Sequence, residues 1–102
     1  MVYITAKDQA EARRIGRALV EERLAACVNI IEGIESIYWW EGQVRAEGEA
    51  VLIAKTKAAL VPALIERVKS LHSYACPCVV SLPILDGNPE FLEWIAAETR
   101  TP

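Results

Sequence analysis

The chain has 102 residues, of which 53% are hydrophobic and 25% charged, and its formal net charge is −3. This length suits one domain over residues 1–102, and the apolar content excludes disorder. The Lys and Arg residues are scattered and form no basic stripe, which argues against nucleic-acid binding. Because no apolar run is long enough for a membrane helix and no signal-peptide pattern opens the chain, we expect a cytosolic protein without a membrane partner. Its three cysteines include one tight C-P-C pair, which favours reduced thiols over a structural disulfide.

The first third of the chain predicts a strand, a helix and a second strand. Val2 to Ala6 is β-branched and aromatic, and Asp8 then opens a helix with Glu11 at capping-box spacing. Apolar residues at helical spacing extend this helix over residues 9–24. Cys27 to Ile31 is a continuous apolar run, typical of a central strand.

The next stretch predicts a β-hairpin. Ile34 to Trp40 is strand-like and continues residues 27–31 as one long strand if the chain bends at Gly33. Glu41 and Gly42 form the turn, where glycine supplies the positive φ that a tight hairpin requires.

Both faces of this strand carry large apolar side chains. Tyr38 and Trp40 point to one side, and Ile37 and Trp39 point to the other, because strand side chains alternate. An isolated small domain leaves one face of such a strand in water, and an exposed aromatic patch marks an interface. We therefore expect a second copy of the chain to cover this hairpin.

The second half repeats the strand–helix–strand pattern. Residues 46–49 form a polar break, and Ala50 to Thr56 is the next buried strand. Pro62 belongs to the first turn of the second helix. Residues 78–82 form the last strand, and Asn88 caps a final helix that ends near Thr99.

The predicted order is therefore β-α-β-β-β-α-β-α. Residues 2–31 and 50–83 are each a strand, an amphipathic helix and a strand, which together predict an α+β, ferredoxin-like split βαβ subunit. The hairpin extends from it, and the C-terminal helix is an addition. Strand residues are apolar at both parities, so the sheet face without helices is expected to pack against neighbouring subunits.

Five short motifs resemble the CutA family of divalent-cation tolerance proteins. They are A-A-C-V-N at 25–29, S-I-Y-W-W-E-G at 36–42, K-T at 55–56, H-S-Y at 72–74 and G-N-P-E-F-L-E-W at 87–94. The resemblance implies a tight homotrimer linked to divalent metal tolerance, with no established reaction. The predicted trimer interface comprises Ile37, Tyr38, Trp39, Trp40, Glu41 and Trp94.

Metal-ligand chemistry is concentrated after the second helix. His72, Cys76 and Cys78 form H-x3-C-x-C, a set of soft and borderline ligands that suits copper or zinc. In the alternative interpretation, His72 ends a helix and the cysteines pack at a strand start. The family's usual H-P-Y-x-x-P-E segment is here H-S-Y-A-C-P-C, so a cysteine replaces the family's acid at 78.

A ligand cleft or an inter-subunit cleft is predicted around Lys55, Tyr74 and Asn88. Lys55 either serves an anionic ligand or extends its ammonium group to a Glu of a neighbouring subunit. The sequence has no P-loop, no H-E-x-x-H and a single histidine, so a binding protein is favoured over an enzyme. We expect a trimeric metal-linked protein; the alternative is a trimeric sensor of a small ligand.

Overall fold

Four strands form one antiparallel sheet. The computed structural model describes residues 1–102, and its strands are β1 (Val2–Ala6), β2 (Cys27–Trp40), β3 (Gln43–Lys55) and β4 (Val79–Ser81). The helices are α1 (Gln9–Glu21), α2 (Val61–Leu71), which follows a 3₁₀ turn at Ala58–Leu60, and α3 (Pro89–Glu98). The strand order is β2-β3-β1-β4. The predicted ferredoxin-like split βαβ fold with an extended hairpin and an added C-terminal helix is therefore confirmed.

The hydrophobic core lies between α1, α2 and one face of the sheet. Residues of one parity in β1 and β3 are fully buried, and the helices contribute Ile15, Leu19, Leu64 and Val68 to the same cluster. Because side chains alternate along a strand, this shared parity places both helices on one side. The strand residues in the cluster are Val2, Ile4 and Ala6 of β1 and Ala50, Leu52 and Ala54 of β3.

Helix α1 begins as predicted but ends three residues earlier than residue 24. At its start, Asp8 accepts a hydrogen bond from the Glu11 N–H at 2.8 Å. At its end, Arg23 adopts a left-handed conformation with φ 60°, and the Leu24 N–H donates back to the Leu19 carbonyl. This is a Schellman-type stop made without glycine, so the sequence carried no glycine signal for it.

The second strand of the hairpin, β3, is longer than predicted. Residues 46–49, predicted as a polar break, lie within β3 and pair with residues 34–37 of β2. The predicted break is therefore wrong. In the first strand of the hairpin, residues 27–40 form one bent strand, the outcome expected if the chain bends at Gly33, with a register shift between Ile31 and Ile34 and Gly33 at φ +74°. The predicted total of five strands is therefore too high by one.

The C-terminal elements follow the prediction closely. Strand β4 covers three residues, and flanking hydrogen bonds from Thr5 to Cys78 and between Leu82 and Met1 continue its pairing at each end. Asn88 caps α3 by accepting from the Glu90 N–H at 3.2 Å.

The molecule measures 44 × 26 × 22 Å along its principal axes. Strands β2 and β3 have 14 and 13 residues, against 5 in β1, so their hairpin extends beyond the helix-covered core. We call residues 34–49, the part of the hairpin beyond the bulge, the arm. None of the helices combines the length and the apolar character required to cross a bilayer.

Candidate functional site

The arm exposes apolar side chains on both of its faces. Trp39 and Ile37 are 74% and 68% exposed on one face, next to exposed Val44. On the other face Trp40 is 47% exposed and Tyr38 is half-buried. The predicted alternation of these aromatic residues is thus present.

A cleft of about 530 Å³ lies between the second face of the arm and the segment that follows α2. It combines aromatic rings, carboxylates, one guanidinium group and two thiols. The residues that supply these groups are Tyr38, Trp40 and Tyr74; Glu47 and Glu49; Arg45; and Cys76 and Cys78. We call this space the arm cleft.

One wall of the arm cleft is held in place by a buried carboxylate on α1. The Glu11 side chain is 1% exposed and accepts hydrogen bonds from the backbone N–H groups of Lys7 at 3.1 Å and Ser73 at 2.9 Å. Arg14 lies 3.5 Å from the same carboxylate and donates to the Leu71 carbonyl at 3.0 Å. The first turn of α1 therefore fastens the chain where it leaves α2.

The groups that surround the Glu11 carboxyl group favour its ionised form. Burial acts to raise the pKa of this carboxyl group. Hydrogen bonds from Ser73 and Lys7 and the nearby His72 ring outweigh burial and hold the pKa below its ordinary value. The group is thus an anchor that functions in its ionised form.

Both ring nitrogens of His72 are engaged in hydrogen bonds. Nδ1 accepts from the Tyr74 N–H at 3.0 Å, so Nε2 carries the proton and donates to the Thr5 carbonyl at 2.7 Å. The imidazole is fully buried, and His72 follows the last residue of α2, as the helix-end interpretation predicted. Its local role is to join the end of α2 to β1.

Tyr74 connects this fastened segment to the arm. Its hydroxyl group donates to Glu49 Oε2 at 3.0 Å, and its ring lies 4.7 Å from the His72 ring. Burial, together with the hydrogen bond to Glu49, raises the pKa of Tyr74. Burial and the neighbouring Glu47 carboxylate likewise raise the pKa of Tyr38. Both phenols therefore remain neutral hydrogen-bond donors in the arm cleft.

The predicted metal ligands are only partly brought together. Cys76 and Cys78 are free, exposed and line the arm cleft, whereas the His72 nitrogens face backbone groups. The chain contains no group of three or more His, Cys, Asp or Glu side chains placed to hold a metal ion. Any metal binding through this segment therefore depends on the two thiols.

The other predicted cleft residues lie apart. Tyr74 lines the arm cleft, but Lys55 is at the far end of β3, where its ammonium group donates to the Asn29 side chain. Asn88 is occupied as the N-cap of α3. Within one chain these three residues therefore lie in three different places, and a cleft between subunits that would bring them together stays a prediction.

Trp94, predicted at the interface, lies on α3 and is 41% exposed. Its ring stacks obliquely on Phe91 with centroids 5.5 Å apart.

A second cavity, of about 460 Å³, lies where α3 faces the start of α2 and residues 81–84. Its lining is largely aliphatic, with Lys57 as its charged side chain.

Sequence reasoning missed the polar residues of the arm cleft. Arg45, Glu47 and Glu49 share a strand parity with one another and pair across the hairpin near Tyr38. Alternation alone indicates that they share a face, but the sequence predicts a polar break at residues 46–49 and no strand there. Glu11 was recognised as a capping residue; its contact with residue 73 is a tertiary feature.

Comparison with known proteins identifies the family. Residues 1–98 match the family model described as CutA1 divalent ion tolerance protein. The chain is 50% identical over 99 residues to the divalent-cation tolerance protein CutA of Thermus thermophilus, covering 97% of this chain and 96% of that protein. It is 47% identical over 100 residues to the chloroplastic protein CutA 1 of rice, but spans 56% of that protein's length.

Solved structures agree with these matches. The crystal structure of CutA1 from Oryza sativa superposes with a TM-score of 0.97 at 46% identity, covering 99% of this chain and 93% of that chain. The structure from Thermus thermophilus superposes with a TM-score of 0.95. Sequence and fold agree along nearly the whole chain, and the protein therefore belongs to the CutA1 family of divalent ion tolerance proteins.

Proposed function

We propose that the protein is a cytosolic homotrimer that contributes to divalent metal ion tolerance by binding rather than by catalysis. The observation that carries the assembly is the arm, whose two faces both expose large apolar side chains. Isolated soluble domains rarely leave a contiguous patch of this kind in water. Neighbouring subunits provide the cover that this surface requires.

The two edge strands of the sheet also support association between copies of the chain. Strand β2 is an edge strand of 14 residues, and the opposite edge is β4, with Val80 and Leu82 exposed along it. A sheet edge carries unpaired backbone N–H and C=O groups and is a template for pairing with another chain. Association between copies removes both edges from water.

The binding role rests on the chemistry of the arm cleft. The only histidine has both ring nitrogens committed to hydrogen bonds, so it is not available as a general base. Two thiols and two carboxylates remain along the arm cleft. The two thiols suit a metal cation, in keeping with the name of the Thermus relative, because thiolates favour copper, and the carboxylates add negative charge to the cleft.

A small organic ligand is the second candidate. Tyr38, Trp40 and Tyr74 offer ring faces in the same space as Glu47 and Glu49. Aromatic walls with a few polar groups are typical of ligand pockets. This combination favours a sensor whose cleft lies next to the subunit contact.

Sedimentation at micromolar protein tests the assembly, and we expect the mass of three chains. A monomer mass would contradict the trimer. Melting-temperature titrations with Cu(I), Cu(II), Zn(II), nucleotides and amino acids then separate the two candidates, since a ligand that binds the folded state raises the melting temperature. We expect a copper ion to give the largest shift; a larger shift with a nucleotide or an amino acid would favour the sensor.

A further inference from the structure

The C-P-C segment places two thiols on the same cleft. Cys76 and Cys78 are both exposed and unpaired, and both line the arm cleft, while Pro77 between them does not. A residue that precedes proline is confined to extended conformations, and proline fixes its own φ. The backbone between the sulfur atoms therefore has little freedom.

The same segment is fastened on both sides. Before the thiols, the Ser73 N–H is bound by Glu11 at 2.9 Å and the Tyr74 N–H by the His72 ring at 3.0 Å. After them, the Cys78 carbonyl accepts from the Thr5 N–H at 3.3 Å and joins the segment to β1. Restraint of this kind lowers the entropy that is lost when both sulfurs bind one ion.

We propose that Cys76 and Cys78 form a two-thiolate site for Cu(I), and that His72 is not a ligand of this site. The inference deepens the metal-binding part of the proposed function and rests on it. On binding, each thiol releases its proton to the solvent, two S–Cu bonds form, and copper remains Cu(I), so no oxidant or reductant takes part.

The number of available ligands favours Cu(I) over Zn(II). Structural zinc sites are tetrahedral and require four ligands, and no third His, Cys, Asp or Glu side chain is placed to join a metal cluster in the chain. Cu(I) is soft and is satisfied by two thiolates in a linear arrangement. Glu47 and Glu49 line the same cleft with Arg45 as its one guanidinium, so the local charge favours entry of a cation.

The thiol that is not part of this pair provides a matched control. Cys27 opens β2, is half-buried, and lies opposite Lys55 on β3. It is distant in the fold from the arm cleft, which it does not line. Cys27→Ser removes one thiol from the chain and leaves the proposed site intact.

The test is anaerobic Cu(I) titration of the full chain in competition with a chromophoric Cu(I) chelator. We expect one Cu(I) per chain in the parent and in Cys27→Ser, and loss of this stoichiometric ion in both Cys76→Ser and Cys78→Ser. Zn(II), titrated separately in competition with a chromophoric Zn(II) chelator, is expected to bind more weakly than Cu(I). An unchanged stoichiometry in the Cys76→Ser/Cys78→Ser double variant, or Zn(II) binding as tight as Cu(I), would overturn the site.

Thiol footprinting of the unmodified protein provides a second readout that does not depend on the folding of variants. Bound Cu(I) should protect Cys76 and Cys78 from alkylation, mapped by mass spectrometry, and leave the rate at Cys27 unchanged. Equal alkylation with and without Cu(I) would contradict the proposal. His72→Gln that remains folded is expected to keep the ion; its loss there would make His72 a ligand after all.

Sedimentation of the same samples separates this inference from the proposed assembly. A trimer that fails to bind Cu(I) overturns the two-thiolate site and leaves the trimer standing. A monomer that binds one Cu(I) through these thiols supports the site and overturns the trimer.

Discussion

Glu11 fastens the segment after α2 through backbone hydrogen bonds that require a carboxylate. Its two oxygens accept from N–H groups 4 residues before it and 62 residues after it along the chain. A glutamine keeps the shape of this side chain but offers one acceptor oxygen in place of two. One of the two N–H groups is then left without its partner in a buried position.

We expect Glu11→Gln to lower the free energy of unfolding by about 1–3 kcal/mol near pH 7, the range for leaving a buried hydrogen-bonding group without its partner. The pKa of Glu11 is lowered in the folded state, so its contribution is fully present above the ordinary carboxyl pKa. That contribution is lost as the pH falls through the folded-state pKa. The parent should therefore lose more stability than Glu11→Gln on acidification.

Urea denaturation across the acidic range measures this difference. Glu21→Gln is the matched control, because Glu21 lies on the same helix in an exposed ion pair with Arg17. Exposed pairs contribute about 0–1 kcal/mol, so this control should stay close to the parent. Parallel acid profiles for the parent and Glu11→Gln would show that the carboxylate charge is not the source of the anchor.

Individual residues also show where sequence reasoning ends. The helix-end position of His72 was predictable from spacing, but its partner, the Thr5 carbonyl, is 67 residues away in the chain. Lys55 was predicted near the end of an apolar strand, and its partner Asn29 belongs to the neighbouring strand. Local patterns indicate an element; they do not indicate which distant group meets a given side chain.

At the scale of elements, the arm ends in a two-residue turn with an uncommon conformation. Glu41 and Gly42 have φ values of 50° and 76°, and Trp40 pairs with Gln43 across them. Positive φ at both central residues corresponds to a type I′ turn, which favours Asn-Gly. Glutamate has no particular ability to adopt this conformation.

We therefore expect Glu41→Asn to raise the free energy of unfolding by about 0.5–1 kcal/mol. Gly42→Ala should lower it by about 1–2 kcal/mol, because alanine at positive φ brings Cβ close to the following carbonyl oxygen. No neighbouring atom lies within 4 Å of the added methyl group, so the effect is conformational. Thermal denaturation at one fixed protein concentration gives both values, and a stabilising Gly42→Ala would contradict the turn assignment.

The arm also explains the missed strand at residues 46–49. Strand prediction from a single sequence depends on alternating apolar residues, and here Glu47, Gly48 and Glu49 interrupt the alternation. They remain extended because residues 34–36 of β2 supply their ladder hydrogen bonds. Outside the core, pairing with a long partner strand determines the conformation, and burial does not.

At the scale of the whole molecule, the apolar arm should couple stability to protein concentration. Folded subunits that associate are stabilised by mass action, so the melting temperature of the parent should rise with protein concentration. Interfaces concentrate their energy in buried aromatic residues. We expect Trp40→Ala and Tyr38→Ala to lower the melting temperature and to shift the sedimenting mass towards the monomer.

Arg13→Ala is the comparison for these variants, because it removes one exposed charge from α1. We expect it to keep the parent mass and melting temperature. If Trp40→Ala and Tyr38→Ala also kept both, the arm would not be the subunit contact.

The order of the strands along the chain differs from their order in the sheet. This difference affects which parts of the protein can fold first during synthesis. β1 is made first, yet Val2 pairs with Ala54 and Ser81, whereas Trp40 and Gln43 pair across two residues. Strands that are close in sequence pair faster than strands that are far apart, so the hairpin can form before β3 and β4 are available to pair with β1 along its whole length. We therefore expect a chain emerging from the ribosome to expose the aromatic side chains of the arm before its hydrophobic core is complete, and to be most prone to associate with other chains at that stage.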